Sequence, residues 1–394
     1  MDRDNFYDII VVGGGPAGTT AAFILKKLDY NVLLIDKAKF PRVKLCGGLI
    51  TQKTVNLLER VFGENIKHLK DTGVINYTSN GYVITNKALE VIKNKSEIPF
   101  YFVDREKYDY FLLNKAKEIG VHVICDNKVV SCDVNLNEIL TENGDSYRSK
   151  YIIGADGVHS VIRKSFPADR FDAKKWRKGL ATTIETSINR DNLNQKIQSL
   201  NYPVLLLNYV SCGYGWLFPR NDSVVVGLGR LNKKNKNSIL KEFNLAIKDI
   251  EINCANKKNA GWPIPNGNFI ERPVWKNCLL TGDAGGFVDP VFGEGIFYAH
   301  RTGELAAWSI HYSVTREKEV ECLYTNFIQK YVIHELKYAK ILNSTIFLWM
   351  EYFPFYPIQV LMNVFNKKII ELIHGKRSFK FFIDSRGIHE RIQP

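Results

Sequence analysis

The chain of 394 residues has no long hydrophobic run and no low-complexity tract. The first absence excludes a clean spanning helix, which needs ~20 apolar residues. The second, with 45% hydrophobic and 24% charged residues, excludes a disordered or fibrous chain and leaves an ordinary globular protein with ample core. The most apolar stretch, Thr345 to Met362, is interrupted by Glu351, Pro354 and Pro357. It reads as core helices around a turn, or as an interfacial or greasy-substrate-facing segment. The seven cysteines include no C-x-x-C pair, and their odd count argues against a disulfide framework or a zinc site. The eight histidines include no H-E-x-x-H, so no metal is expected. No secretory leader precedes the first strand. The expected location is therefore cytoplasmic, with peripheral contact on the inner face of a membrane. No nucleic-acid module accompanies the net charge of +13, and the basic residues are scattered. That charge reads as a lysine-rich surface or as attraction to an anionic lipid, not to nucleic acid.

The signal that is present concentrates in the first fifty residues. Tyr7-Asp8-Ile9-Ile10-Val11-Val12 runs into Gly13-Gly14-Gly15-Pro16-Ala17-Gly18, an alanine-rich helix start, and the strand Asn31-Val32-Leu33-Leu34-Ile35 that ends in Asp36. Gly13, Gly15 and Gly18 fit G-x-G-x-x-G, and Asp36 stands close to the ~20-residue spacing of an acid that accepts from a ribose hydroxyl. Gly13 permits the tight turn, Gly15 lets backbone N–H groups approach a pyrophosphate, and Gly18 lets helix and strand pack closely. A pyrophosphate then sits at a helix N-terminus, where free N–H groups favour anions. This pattern predicts a dinucleotide site without choosing FAD over NAD.

Two later strands end in the same way. Ile152-Ile153-Gly154-Ala155-Asp156-Gly157 and Leu279-Leu280-Thr281-Gly282-Asp283-Ala284 each deliver an acid at the C-terminal edge of a strand, the usual ligand side of an open α/β sheet. The second leads through Pro290-Val291-Phe292-Gly293-Glu294-Gly295-Ile296 into a helix. In this order the three motifs resemble the FAD-binding set of the p-hydroxybenzoate hydroxylase-like flavoproteins. That resemblance implies FAD as the cofactor, Asp36 on the adenosine ribose, Arg105 near the ribose and pyrophosphate, and Asp283 at the ribityl or pyrophosphate region. It implies that Gly293, Gly295 and Ile296 bring backbone N–H groups to the flavin, where a helix N-terminus stabilises negative charge. Pro16, Ala17, Lys37, Arg42, Cys46, Gly47, Gly48, Val129, Asp156, Gly157, Gly282 and Pro290 complete the implied cofactor contacts.

Phe40-Pro41-Arg42-Val43-Lys44-Leu45-Cys46-Gly47-Gly48 resembles the F-P-R-x-K-x-C-G-G loop of the geranylgeranyl reductase family, and Tyr214-Gly215-Trp216-Leu217-Phe218-Pro219 resembles its Y-x-W-x-F-P signature. Lys376-Arg377-Ser378-Phe379 follows the family pattern loosely, and the proline common upstream of the signature is absent at Tyr209-Val210-Ser211. The family reduces C=C bonds of isoprenoid chains with FAD. The resemblance therefore implies an isoprenoid or lipid substrate, with hydride from reduced flavin and electrons from NADPH or a carrier such as ferredoxin. Alternation places Tyr214, Trp216 and Phe218 on one strand face. With Cys46, Tyr214 and Trp216 are the candidate catalytic residues. The rivals are an FAD-dependent monooxygenase acting with NAD(P)H and O2 on an aromatic or polyketide-like substrate, and a flavin-dependent halogenase, for which Lys44 is near the right loop.

The expected architecture is α/β with an α+β insertion. A Rossmann-like FAD-binding domain covers 1–72, 101–179 and 270–325; a sheet-rich substrate domain covers 73–100 and 180–269; a helical region covers 326–394. Within it, 73–103 reads as short strands, Asp104 as the N-cap of a helix to about Ile119, Asn143-Gly144 as a hairpin turn, and 238–249 as a helix.

Overall fold

The computed structural model describes residues 5–231, 238–252, 260–352 and 356–380. Cys254 and Phe353 to Phe355 lie outside the described residues. The described strands form two eight-stranded sheets with helices between and around them.

The first sheet is built on continuous apolar runs. Its path runs Val274–Trp275, Cys278–Leu280, Ser146–Gly154, Phe6–Val12, Val32–Ile35, His122–Ile124. From Cys278–Leu280 onward each neighbour is parallel. Both faces are covered, as a parallel sheet requires, and Ile9, Ile10, Leu33, Leu34, Ile152 and Ile153 have no exposed surface. The register decides where the motifs meet. Val12 pairs with both Ile35 and Gly154, and Leu280 pairs with Gly154. Four strands thus stop level, and the glycine turn, Asp36, Asp156 and Asp283 emerge at one edge.

The second sheet runs Ala260–Pro265, Leu180–Asn189, Ser223–Leu231, Gly213–Pro219, Val204–Leu207, Ile75–Asn86, Leu89–Val103, Leu49–Ile50. The expectation of short strands in 73–103 is corrected: Ile75–Asn86 and Leu89–Val103 are single strands of 12 and 15 residues paired as one hairpin. Asn80-Gly81 lies at a register shift inside the hairpin, between Ser79 and Gly81, and the one chain reversal follows Asn86. A bulge kinks a strand without ending it, which is why the local signal misled.

The other local readings match. Asp104 caps Arg105–Glu118, accepting from the Glu106 N–H at 2.9 Å. Gly144, at φ 88°, turns the hairpin between Glu138–Thr141 and Ser146–Gly154. Ile239–Asp249 is helical, with Ser238 as N-cap. Ile296–Arg316 packs along Pro16–Lys27, and the late helices Tyr356–Val364 and Asn366–Ile373 lie against Leu89–Val103. Ile370 joins Ile84, Phe100 and Phe102 in one apolar cluster there. Among the described residues no helix is long and apolar enough to cross a membrane.

Candidate active site

The glycine turn forms the floor of the site. Gly13 has φ 110°, and a Cβ on it would stand 2.3 Å from the Ala155 carbonyl oxygen. A Cβ on Gly18 would stand 1.9 Å from the Gly13 carbonyl oxygen, so helix Pro16–Lys27 and the first strand approach as closely as glycine allows. That helix starts at Gly15 with no side-chain cap, leaving its first N–H groups directed at the cavity. Asp36 accepts from the Gly14 N–H at 2.6 Å and the Ala38 N–H at 2.8 Å, which fixes its carboxylate at the strand end. Asp156 Oδ2 accepts from the Val161 N–H at 2.6 Å and the Ile162 N–H at 3.3 Å, while its Oδ1 is buried without a partner. Burial pushes the Asp156 carboxyl above its ordinary range, against these hydrogen bonds.

Two guanidinium groups face the same floor. Arg105 donates to Asp109 from Nε and from Nη2, each at 2.9 Å. Arg42 Nη2 lies 3.0 Å from Asp109 Oδ2. Burial alone would lower the Arg105 pKa, but Asp109 and the contact with Cys46 raise it above the ordinary value. The pair is held charged one step from the helix N-terminus: a Cβ on Gly15 would be 3.6 Å from Arg42 Nη2. One carboxylate under two guanidinium groups leaves positive charge suited to a pyrophosphate.

Above the floor, the Cys46-Gly47-Gly48 loop lies on the aromatic strand Gly213–Pro219. A Cβ on Gly47 would meet the Phe218 ring at 2.6 Å, and one on Gly227 would meet the Trp216 ring at 2.2 Å. Tyr214 and Trp216 have ring centroids 6.2 Å apart, and Trp216 and Phe218 6.3 Å, so the three side chains form one wall. The Tyr214 hydroxyl donates to the Phe292 carbonyl at 2.6 Å, tying this wall to the loop before helix Ile296–Arg316. Glu185, from strand Leu180–Asn189 two places across the sheet, accepts from the Cys46 backbone N–H at 2.9 Å and from the Trp216 indole N–H at 3.3 Å. Glu294 pairs with Lys53 and accepts from the Thr51 hydroxyl at 2.8 Å, holding the Gly293–Gly295 turn.

One cavity of about 1780 Å³ unites these parts. Gly13, Gly15, Pro16, Ala17, Asp36, Lys37, Arg42, Cys46, Gly47, Gly48, Arg105, Val129, Asp156, Gly157, Tyr214, Trp216, Gly282, Asp283, Pro290, Gly293, Gly295 and Ile296 all line it. Gly18 does not; it is a packing glycine behind the turn. Beyond the aromatic wall the cavity continues past Ile84, Phe100, Leu205, Met362, Ile369 and Leu372. Sequence reasoning missed Asp109, Glu185 and the Lys53–Glu294 pair. Asp109 carries a local signal, since it stands four positions after Arg105 on one helix. The cue for Glu185 is an acid within the alternating strand Leu180–Asn189.

The fit to FAD rests on the glycine cradle, the orphaned Asp156 Oδ1 and the two guanidinium groups, which suit an adenine dinucleotide with a central pyrophosphate. Comparison with known proteins agrees. Residues 7–205 match the FAD binding domain family. An uncharacterised protein of Methanosarcina barkeri is 31% identical over 78% of this chain and 75% of its own length. The geranylgeranyl diphosphate reductase of Rhodobacter capsulatus is 27% identical over 76% of this chain and 74% of its own length. The crystal structure of a geranylgeranyl bacteriochlorophyll reductase-like protein from Thermoplasma acidophilum superposes with a TM-score of 0.72 at 19% identity, covering 94% of this chain and 92% of that one. With its three cofactor motifs gathered at one sheet edge, the chain belongs to the FAD-binding domain family, as an FAD-dependent oxidoreductase of the geranylgeranyl reductase family.

Proposed function

We propose that the protein saturates C=C bonds of an isoprenoid chain, a geranylgeranyl-type diphosphate or lipid. The observation that carries this reading is the continuity of the cavity: the nucleotide cradle opens, past Trp216, into an apolar extension between the second sheet and the late helices. A polar or compact aromatic substrate has no use for that length of hydrocarbon lining, whereas a branched polyene gains ~25 cal/mol per Å² buried there.

Reduced FAD, when bound, supplies the hydride. The chain's own residues do the rest. The first N–H groups of helix Pro16–Lys27, with Arg42 and Arg105, hold the pyrophosphate, and Asp36 and Asp283 orient the ribose and ribityl hydroxyls. The N–H groups at Gly295 and Ile296, at the start of a 21-residue helix, would favour negative charge on the reduced ring, whereas the Gly293 N–H, expected to join them, donates to the Asp289 carbonyl at 2.9 Å and shapes the turn instead. Tyr214, Trp216 and Phe218 press the alkene flat and exclude water, at little cost in frozen torsions. Cys46 closes the cavity beside Arg105. NADPH or a ferredoxin-type carrier provides the electrons, and a membrane-derived substrate accounts for peripheral membrane contact by a chain of charge +13. The FAD-binding part is 1–72, 101–179 and 270–325; the substrate part is 73–100 and 180–269, backed by the helices of 326–394.

The test is anaerobic. Dithionite-reduced protein is mixed with geranylgeranyl diphosphate or extracted isoprenoid lipids. Flavin reoxidation by the isoprenoids alone supports the reading. A flavin that stays reduced until oxygen enters, followed by substrate-stimulated NAD(P)H consumption, overturns it in favour of oxygenation.

A further inference from the structure

Saturating an unactivated alkene adds a hydride to one carbon and a proton to the other. The proton must come from an acid inside the water-excluding part of the cavity, beside the aromatic wall. The groups that line this region differ in what their protons are doing. The Tyr214 hydroxyl proton is committed to the Phe292 carbonyl. Cys46 Sγ accepts from the Gly48 N–H at 3.4 Å and touches the Arg105 guanidinium, the surroundings of an acceptor. Glu294 is ion-paired with Lys53. Glu185 stands apart. It is 8% exposed, it lines the cavity, and its carboxyl group accepts from two N–H donors, one on each signature motif. Opposite it on the adjacent strands are Gly227, whose face the Trp216 ring covers, and Ala260. Each carboxyl oxygen that accepts one N–H keeps a second lone-pair site, so a proton on either oxygen is compatible with both bonds.

We propose that Glu185 is the catalytic acid of the alkene reduction. This assignment rests on the reading given under Proposed function. As the alkene π pair moves to form the new C–H bond, the Glu185 O–H bond breaks and a carboxylate remains, which water reprotonates before the next turnover. The hydride and its two electrons come from the reduced cofactor, which is left oxidised, so one H⁻ and one H⁺ account for the two hydrogens gained. The groups that face Glu185 are the Cys46 N–H and Lys44 from the C-G-G loop, and Trp216 and Arg220 from the aromatic strand and its end. Burial pushes the carboxyl above its ordinary range, while these donors and cations hold it part of the way back. A carboxyl raised in this way retains its proton nearer neutral pH.

The FAD-loaded full chain provides the test. Wild type, E185Q and C46A are reduced anaerobically, and flavin reoxidation by geranylgeranyl diphosphate is followed across pH. The expected results are a wild-type rate that falls as pH rises through the carboxyl pKa, and an E185Q rate lower by about 10²–10⁴-fold with that limb abolished. C46A keeps the limb. Infrared difference spectra of wild type minus E185Q show a protonated-carboxyl band in the resting holoenzyme. E185D, which retains an acid, regains much of the lost rate if E185Q folds poorly. Wild-type turnover with E185Q unimpaired, or a limb lost in C46A and kept in E185Q, overturns the assignment alone. A wild-type flavin that no isoprenoid reoxidises overturns the parent reading as well.

Discussion

Asp109 grips Arg105 with both carboxylate oxygens, at 2.9 Å from Nε and 2.9 Å from Nη2, one helical turn along the same helix. Its Oδ2 also lies 3.0 Å from Arg42, so one carboxylate fixes the helix to the F-P-R loop. The Asp109 side chain is wholly buried.

Removing that carboxylate leaves the buried Arg105 and the half-buried Arg42 guanidinium groups without their shared partner. D109A is expected to cost about 3–5 kcal/mol of stability and to release FAD more readily, because Arg42 and Arg105 lose their fixed positions. Chemical denaturation and flavin retention through gel filtration check both effects. Wild-type retention in D109A would remove Arg42 and Arg105 from the pyrophosphate site.

Gly18 has no space for a methyl group, since its Cβ would meet the Gly13 carbonyl at 1.9 Å. G18A is expected to part helix Pro16–Lys27 from the first strand and to yield protein that purifies without flavin. Absorbance of the purified variant, with and without added FAD, decides this. A yellow protein with normal affinity contradicts the cradle described above.

The substrate wall can be disturbed separately from the cofactor floor. In G227A the new methyl group would lie 2.2 Å from the Trp216 ring, so the indole must move. Flavin affinity is expected to stay at the wild-type value while turnover falls by about 10²-fold, the effect of misplacing a reacting group by ~1 Å. Equal loss of flavin and turnover would assign Trp216 to the cofactor rather than the substrate.

How far the site was legible depended on sequence distance. The cofactor motifs are local, because a strand, a turn and a helix start within a few residues announce Asp36, Asp156 and Asp283. Their convergence follows from parallel register, which the continuous apolar runs imply. Glu185 was not legible. Its meaning comes from Cys46, 139 residues away, and from an indole two strands across in the sheet. The Ile75–Asn86 hairpin misled for the opposite reason: Asn80-Gly81 has the local chemistry of a turn, but tertiary pairing with Leu89–Val103 absorbs it as a bulge.

His300 gives stability a defined pH dependence. It is fully buried, with Nδ1 2.7 Å from the Thr20 hydroxyl and Nε2 2.6 Å from the Tyr108 hydroxyl. Burial pushes its pKa down to about 3, from an ordinary 6.5. Between those values the unfolded chain binds a proton that the folded chain refuses, so this contribution is complete above pH 6.5 and is lost as pH falls toward 3. The slope is on the order of 1.4 kcal/mol per pH unit. Denaturation curves of wild type and H300Q from neutral to acid pH isolate it: the difference should shrink as pH falls. A constant difference would mean that His300 is not held neutral.

Under the proposed function, reduced flavin held in this cavity would give its hydride to a carbon–carbon double bond. A single anaerobic turnover with stoichiometric flavin and geranylgeranyl diphosphate, read by mass spectrometry, tests it most directly. The expected product is heavier by two hydrogens for each flavin reoxidised, unchanged when oxygen is admitted later. Unaltered substrate without oxygen, and product heavier by one oxygen atom once it is admitted, would contradict it.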